Sequence, residues 1–126
     1  MREIRNALMT KLDNEYSRYI RLRDHCTCYT CGKTQAFEYM QAGHYIRRKH
    51  LLYRWDDTNV HCQCYYCNCK LHGNMRVYRK KMAEQYGEIA VQLMEARRFE
   101  TVLLDPEWYH TQIDRYREIN RRLENG

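Results

Sequence analysis

The sequence predicts an α+β fold in which a small cysteine-rich centre is flanked by helices at both ends. Three observations predict it. Apolar residues recur every four positions near the N-terminus, two groups of cysteines bracket the centre, and an Asp-Pro step opens a helical pattern near the C-terminus. The 126 residues suit a single domain. We divide it into an N-terminal helix over 1–24, the centre over 25–75 and C-terminal helices over 76–126.

The first 24 residues are predicted to form an amphipathic helix. Arg and Lys stand between apolar residues that recur at a spacing of four, namely Ile4, Leu8, Leu12, Tyr16 and Ile20. This period places the apolar side chains on one face and the charges on the other. The helix therefore offers one face to a core.

Shorter elements are predicted within the centre. Residues 26–34 form a cysteine-rich turn, residues 36–46 a β-hairpin, and residues 51–55 a brief strand within a loop. A helix is expected over about residues 64–72, followed by a glycine that favours a stop.

Helices are predicted for most of the remaining chain. Asn74 is a candidate N-cap, Gly87 interrupts the pattern, and helical periodicity resumes over 89–97. Asp105 followed by Pro106 is a clear start signal, because Asp caps a helix and Pro suits its first position. The buried stripe of this last helix is expected to contain Tyr109, Ile113, Tyr116, Ile119 or Asn120, and Leu123.

The composition favours a polyanionic partner. Twenty-two Lys and Arg against sixteen Asp and Glu give a net charge of +6 and a pI of about 9.0. Twelve Tyr add aromatic groups, which among cations suit both bases and phosphates. Nucleic acid is therefore the expected partner, and the alternative is a basic surface without a specific one.

The cysteines favour metal binding in a reducing compartment. All seven fall into two tight clusters, the N-terminus Met-Arg-Glu-Ile-Arg carries no apolar leader, and no stretch is apolar enough to span a membrane. We therefore expect a cytoplasmic protein without a membrane partner, whose thiols hold metal rather than form disulfides.

Two C-x-x-C knuckles predict a structural zinc site. Each knuckle places two thiolates on one face of a turn, and two knuckles complete a tetrahedral four-thiolate site with no open position. Such a site would tie the start of the centre to its end. The predicted ligands are Cys28, Cys31, Cys64 and Cys67.

Three cysteines, Cys26, Cys62 and Cys69, remain spare and are expected to be reduced thiols. Two alternatives stay open. The pair Cys26-x-Cys28 or the pair Cys67-x-Cys69 could substitute for a C-x-x-C knuckle. His25 or His61 could join a second metal site.

Four polar residues between and after the knuckles could carry phosphodiester hydrolysis. Asn68 and His72 lie i and i+4, so that on a helix an amide oxygen and an imidazole would share a face and hold a divalent metal. His44 has a side chain whose ordinary pKa suits a base near neutral pH. The alternatives are a surface or a hydrogen-bonded histidine at His44, a turn residue at Asn59 and a helix cap at Asn68.

The order of these motifs resembles the HNH endonucleases of the zinc-stapled ββα-metal type, and within them the NinG (Rap) recombination endonucleases of lambdoid phages. The resemblance covers about residues 26–87, and the flanking helices add nothing to it. It is carried by Ala42-Gly43-His44-Tyr45, by Asn59-Val60-His61-x-Gln63-Cys64-x-x-Cys67-Asn68, and by Gly73-Asn74 with Tyr78-Arg79.

The resemblance implies a ββα-metal core and a role for each polar residue. His44 would be the general base, Asn59 would fix the loop and orient that base, and Asn68 would bind a catalytic Mg²⁺ or Mn²⁺. His72 stands where several enzymes of this class place another ligand.

The chain departs from the family pattern at Gly43, where an Asp or His often supplies a metal ligand. Asn74 or His61 could replace that ligand. The family further implies branched recombination DNA as substrate, such as Holliday junctions or D-loops, in the cytoplasm of a bacterial host. A homodimer would suit symmetric cutting of a junction.

Basic residues next to the motif in sequence are predicted to contact the DNA backbone. Arg47, Arg48 and Lys49 follow the predicted base, and Arg76 and Arg79 follow the predicted metal helix. The alternative is a solvated charged face.

The sequence as a whole predicts a metal-dependent DNA endonuclease. Three alternatives remain: an HNH nuclease that cuts plain duplex DNA, a zinc-stapled DNA-binding module without catalysis, and a zinc protein-interaction domain. The glycine before the base favours the second alternative.

Overall fold

A computed structural model describes residues 2–126 of the chain. The elements in that part are, in order, α1 (Arg2–Arg23), a 3-10 turn (Phe37–Tyr39), β1 (Met40–His44), α2 (Leu51–Arg54), β2 (Val60–Cys64), a π-helical turn (Tyr66–Lys70), α3 (Met75–Tyr86), α4 (Glu88–Arg97) and α5 (Pro106–Asn125). This mixture of helices with one small sheet confirms the α+β class. None of the described helices has the length and apolarity needed to cross a membrane.

The sheet has two antiparallel strands and lies between two layers of helix. Met40 of β1 pairs with Cys64 of β2, and His44 pairs with Val60. Alternate residues of the sheet point to opposite faces. The face that carries Met40 and Val60 packs against α1 and α5, whereas the face that carries His61 packs against α3, where Tyr78 contacts it.

Helices α1 and α5 lie side by side in parallel and form the larger core with the sheet. The ring of Tyr16 meets that of Tyr116 edge-on, and the amide of Asn120 donates to the carbonyl of Glu15 over 3.0 Å. The predicted stripes are confirmed by the residues buried along the two helices: Leu8, Leu12, Tyr16 and Ile20 in α1, and Tyr109, Ile113, Tyr116 and Asn120 in α5. The outermost members, Ile4 and Leu123, are exposed.

Helices α3 and α4 build a second, smaller core on the other face of the sheet. Its buried side chains are Ile46, Tyr53, Tyr78, Met82, Val91 and Met94. The predicted start after Asn74 and the predicted break at Gly87 are both present. Asn74, however, adopts a left-handed φ of 51°, and its side chain makes no capping bond.

The predicted start of α5 is confirmed. Asp105 has extended backbone angles and its carboxylate accepts a hydrogen bond from the backbone N–H of Trp108 over 2.8 Å. Pro106 occupies the first helical position, where its missing N–H costs nothing.

Three local predictions for the centre are wrong. Residues 36–46 do not form a hairpin, because Phe37–Tyr39 coils into a 3-10 turn and β1 pairs with a strand twenty residues further along. Residues 51–55 contain the short helix α2 rather than a strand. Its carbonyls are held by side chains from outside it, that of Tyr53 by Asn59 and that of Arg54 by His44. Residues 64–72 contain the π-helical turn rather than an α-helix. The N–H of Leu71 donates to the carbonyl of Tyr66, five residues earlier.

Candidate zinc site and active-site cleft

The two knuckles bring four thiols together. The sulfur atoms of Cys28, Cys31, Cys64 and Cys67 all lie within 4.8 Å of one another. The distance between the sulfurs of Cys31 and Cys64 is 3.8 Å. A tetrahedral ion with Zn–S bonds of ~2.3 Å requires sulfurs about 3.8 Å apart, so the cluster has the donor type and the spacing of a structural zinc site.

Hydrogen bonds around the cluster suit thiolates. The backbone N–H of Cys67 points at the sulfur of Cys64, and the hydroxyl of Thr30 lies 3.4 Å from the sulfur of Cys28. Burial raises the pKa of Cys28, but the Thr30 hydroxyl and neighbouring backbone N–H groups outweigh it and lower that pKa to about 6. Burial and the neighbouring thiols raise the pKa of Cys31 to about 12. Because the neighbouring thiols oppose the ionisation of Cys31, all four cysteines would be thiolates together only around a bound cation.

Zinc ligation by the spare residues is not supported. Among residues 2–126, the four knuckle cysteines are the only group of three or more His, Cys, Asp or Glu side chains placed to share an ion. Both ring nitrogens of His61 are bound by tyrosine hydroxyls, those of Tyr78 at 3.0 Å and Tyr86 at 2.7 Å. His61 therefore supplies a ligand neither to a second site nor beside Gly43.

A second feature is a cleft of about 360 Å³ between α1, β1 and the π-helical turn. His44 and Asn68 stand 24 positions apart in the sequence, and both line it. The strand register brings His44 to the end of β1, and the zinc knuckle holds the turn that carries Asn68. The predicted base and the predicted metal ligand thus face one space.

His44 is held in one tautomer. Its Nε2 lies 2.8 Å from the backbone carbonyl of Arg54. Because a carbonyl only accepts, the proton must sit on Nε2, and Nδ1 keeps its lone pair. Burial lowers the pKa of His44 to about 4, so the ring is neutral at pH 7. A neutral imidazole with a free Nδ1 can accept a proton.

Asn59 clamps the loop between the strands. Its side chain accepts from the N–H of Ile46 over 2.7 Å and donates to the carbonyls of Ile46 and Tyr53 over 3.0 and 2.9 Å. The residue is fully buried. This is the loop-fixing role predicted for Asn59, and it acts on the loop whose Arg54 carbonyl anchors His44 rather than on the imidazole itself.

Asn68 and His72 do not share a face. Asn68 donates from Nδ2 to the side-chain oxygen of Gln41 over 2.7 Å. His72 is exposed, has a left-handed φ of 51° and is not among the residues that line the cleft. The i, i+4 argument fails because the chain leaves the π-helical turn before His72.

The donors in the cleft are few for a catalytic metal. Outside the knuckles, the described residues form no cluster of three His, Cys, Asp or Glu side chains. The Oδ1 atom of Asn68 accepts no hydrogen bond within the described chain, so it is available to bind an ion. Mg²⁺ keeps several waters and tolerates such a sparse set when phosphate oxygens complete it.

Packing against Gln63 explains why position 43 is a glycine. A Cβ atom at this position would lie 1.8 Å from Oε1 of Gln63. Gln63 is fully buried, and its amide donates to the carbonyl of Gly73 over 2.9 Å and to the Thr30 hydroxyl over 3.0 Å. The position before the base cannot carry a ligand because Gln63 occupies its space.

Two residues that line the cleft were not predicted from the sequence. Gln41 precedes the motif and binds Asn68. Asp13 lies on α1, outside the residues that carry the family resemblance, and no spacing points from it to His44. Strand alternation alone would place Gln41 on the face opposite His44, so tertiary packing is needed to reveal both Gln41 and Asp13.

The predicted basic residues fall into three environments. Arg48 lines the cleft and pairs with Asp13. Arg79 is bound by two carboxylates, Glu88 and Glu95, so its charge is already compensated. The other three predicted cations, Arg47, Lys49 and Arg76, are exposed on the neighbouring surface and form no ion pair within the described residues.

Known proteins resemble this chain over most of its length. The family described as the bacteriophage lambda NinG protein matches residues 4–125. Protein ninG of Escherichia phage 933W is 34% identical over 80 residues, and protein ninG of Salmonella phage P22 is 35% identical over 80 residues. Each alignment covers 62% of this chain and 39% of the relative, so the chain matches about two-fifths of those proteins. No solved structure matches.

Proposed function

Because the chain belongs to the family of the bacteriophage lambda NinG protein, we propose that it is a metal-dependent DNA endonuclease of the HNH type. One observation carries the proposal: His44, with a free Nδ1, and Asn68 line the same cleft. The chain order of two antiparallel strands, a zinc-held turn and a helix is the order that the sequence resemblance implies for a ββα-metal core.

The chain's own residues would perform the proton transfer. His44 takes a proton from water at Nδ1 while the Arg54 carbonyl holds Nε2–H, so that the ring cannot present its other nitrogen. Asn59 supports the same short helix by donating to the carbonyl of the preceding residue, Tyr53. The cleft beside His44 also contains a guanidinium, Arg48, which attracts a phosphate.

A divalent ion would be held by the Oδ1 atom of Asn68, by phosphate oxygens of the DNA and by water. Such an ion, Mg²⁺ or Mn²⁺, neutralises charge on the scissile phosphate and on the leaving oxygen. Zinc bound by the four knuckle cysteines would leave no open position for catalysis and would serve only to hold the π-helical turn against the strands.

We further propose that the substrate is branched recombination DNA, cut in the cytoplasm of the host bacterium by a homodimer. The support is family membership together with a basic surface beside the cleft. Cleavage of a four-way junction should be compared with cleavage of a linear duplex of the same sequence. Equal rates would reject branch specificity and favour a nuclease for plain duplex DNA.

The endonuclease proposal is tested with His44→Ala and zinc-loaded protein. Nicking of supercoiled DNA in Mg²⁺ or Mn²⁺ should fall at least about 100-fold, since a positioned general base contributes roughly 10²–10⁴. DNA affinity, measured by fluorescence anisotropy, should stay within about twofold. His110→Ala removes an exposed histidine of α5 and should cut like the wild type.

A second candidate, a DNA-binding module without catalysis, is favoured by the lack of a ligand at Gly43 and by the position of His72 outside the cleft. It predicts DNA binding by the wild-type protein with no nicking in Mg²⁺, Mn²⁺ or any other divalent ion. If His44→Ala nicks DNA as fast as the wild type, the endonuclease proposal stands, but the general-base role of His44 is rejected.

A further inference from the structure

Asp13 of α1 reaches the cleft and binds three side chains. Its Oδ2 accepts from the guanidinium groups of Arg48 at 2.6 Å and Arg54 at 2.5 Å. Its Oδ1 accepts from Nε of Arg54 at 3.1 Å and from the indole N–H of Trp55 at 2.9 Å. Four hydrogen bonds to one carboxylate fix the segment 48–55 against α1.

Arg54 connects this carboxylate to the general base. Its side chain forms a two-pronged pair with Asp13, and its backbone carbonyl accepts the Nε2–H of His44 over 2.8 Å. Both ends of the residue are therefore fixed, one by a carboxylate from α1 and the other by the imidazole from β1. A bidentate pair restricts direction as well as distance.

The environment makes the pair rigid. The side chains of Asp13 and Arg54 are 19% and 13% exposed, whereas that of Arg48 is 58% exposed. Burial alone raises the pKa of Asp13, but the bonds and charges of Arg54 and Arg48 reverse this and hold the pKa below its ordinary value. Asp13 thus stays ionised and keeps its partners.

We propose that Asp13 is a positioning residue for His44: through Arg54 it holds the carbonyl that selects the imidazole tautomer. The N-terminal helix, which lies outside the residues carrying the HNH resemblance, is then a functional wall of the active site. The effect on cleavage rests on the proposed function, whereas the effect on the tautomer rests only on the contacts described.

The first test is Asp13→Asn, which keeps the size of the side chain and removes its charge. In ¹⁵N NMR spectra of the zinc-loaded wild type at pH 7, His44 should show one protonated and one unprotonated ring nitrogen. The variant should show averaged shifts from both tautomers. If it cleaves DNA, kcat should fall about tenfold or more with KM within about twofold, because small misplacements of a base are costly.

Asp57→Asn is the matched control. Asp57 is another carboxylate that ties the segment between the strands to α1, through the hydroxyls of Tyr16 at 2.8 Å and Tyr19 at 3.2 Å. It binds neither Arg54 nor His44. Its loss should lower stability without altering the tautomer of His44 or kcat.

Trp55→Phe provides a milder variant if Asp13→Asn fails to fold, since it removes one of the four bonds and leaves an aromatic ring. It should give a smaller shift in the same direction. An unchanged His44 tautomer in folded Asp13→Asn, or in Trp55→Phe where Asp13→Asn does not fold, overturns the positioning role. A wild type that never cuts DNA, with the NMR shifts as expected, rejects the nuclease and leaves the positioning role intact.

Discussion

At the scale of single residues, Gly43 shows how one position can depart from a family pattern for a packing reason. A side chain there would point into the space of Gln63, whose amide is fixed by Gly73 and Thr30. Gln63 thereby connects the first knuckle, the strand and the start of α3. The absence of a side chain beside His44 is a consequence of this internal bridge.

Gly43→Ala tests the bridge. The added Cβ would displace Gln63, so we expect a loss of about 1–3 kcal/mol in the free energy of unfolding, the usual cost of overpacking. The double variant Gly43→Ala with Gln63→Ala removes the clash and should cost less than the sum of the two single changes. Urea unfolding measures all four proteins, and additivity within about 0.5 kcal/mol would contradict the account.

At the scale of elements, the π-helical turn is shaped by its cysteines. Cys64 ends β2 and Cys67 lies in the turn, and both sulfurs must reach the same cluster as the first knuckle. The wide turn satisfies this requirement, and it presents Asn68 to the cleft. The four-thiol cluster and the cleft are therefore parts of one local structure.

Two exposed cysteines provide a matched test of the knuckles. Cys31 belongs to the four-sulfur cluster, whereas the thiol of Cys69 lies outside it and donates to the side-chain oxygen of Gln41. Cys31→Ser should lose most bound zinc and unfold at a lower temperature, because structural zinc contributes folding energy. Cys69→Ser should keep one zinc per chain by atomic absorption. Zinc loss from Cys69→Ser alone would mean that the ligand set is wrong.

The sequence predicted the elements whose signals are local. Helices α1 and α5 follow from their four-residue period, and α5 from the Asp105 cap as well. Helix α2 and the π-helical turn could not be predicted, because bonds from Asn59 and the thiol cluster determine their backbones. The motif extends only over the central residues. It therefore identified His44 and Asn68, which lie within it, and missed Asp13, which lies outside it.

At the scale of the whole molecule, the sheet is covered on both faces, and two histidines are enclosed as a result. His44 lies beneath α1, and His61 stacks on Tyr29 and bonds to two tyrosines. Burial lowers the pKa of each imidazole to about 4 from an ordinary value of 6.5. The folded protein therefore favours the neutral form of both rings.

Acid should destabilise the protein between about pH 6.5 and pH 4. In this window the unfolded chain binds more protons than the folded one, so stability falls as the pH falls and is independent of these rings above it. At about 1.4 kcal/mol per pKa unit, each ring contributes on the order of 3 kcal/mol. Urea midpoints against pH measure the loss, with zinc content followed in parallel because acid also protonates thiolates.

His44→Gln separates the contribution of one ring from the rest. The slope of stability against pH in that window should become shallower, since one of the two groups that titrate differently is gone. An unchanged slope with zinc still bound would show that His44 titrates normally in the folded protein.

The parallel pairing of α1 with α5 has a consequence for synthesis. Contacts such as that between Glu15 and Asn120 span 105 positions, and the apolar stripe of α1 is covered by the last helix of the described chain. A nascent chain emerges from the ribosome N-terminus first, so α1 waits without its partner until α5 has been made. The packing that places Asp13 beside His44 therefore forms only after α5 has been made, about 100 residues later in the chain.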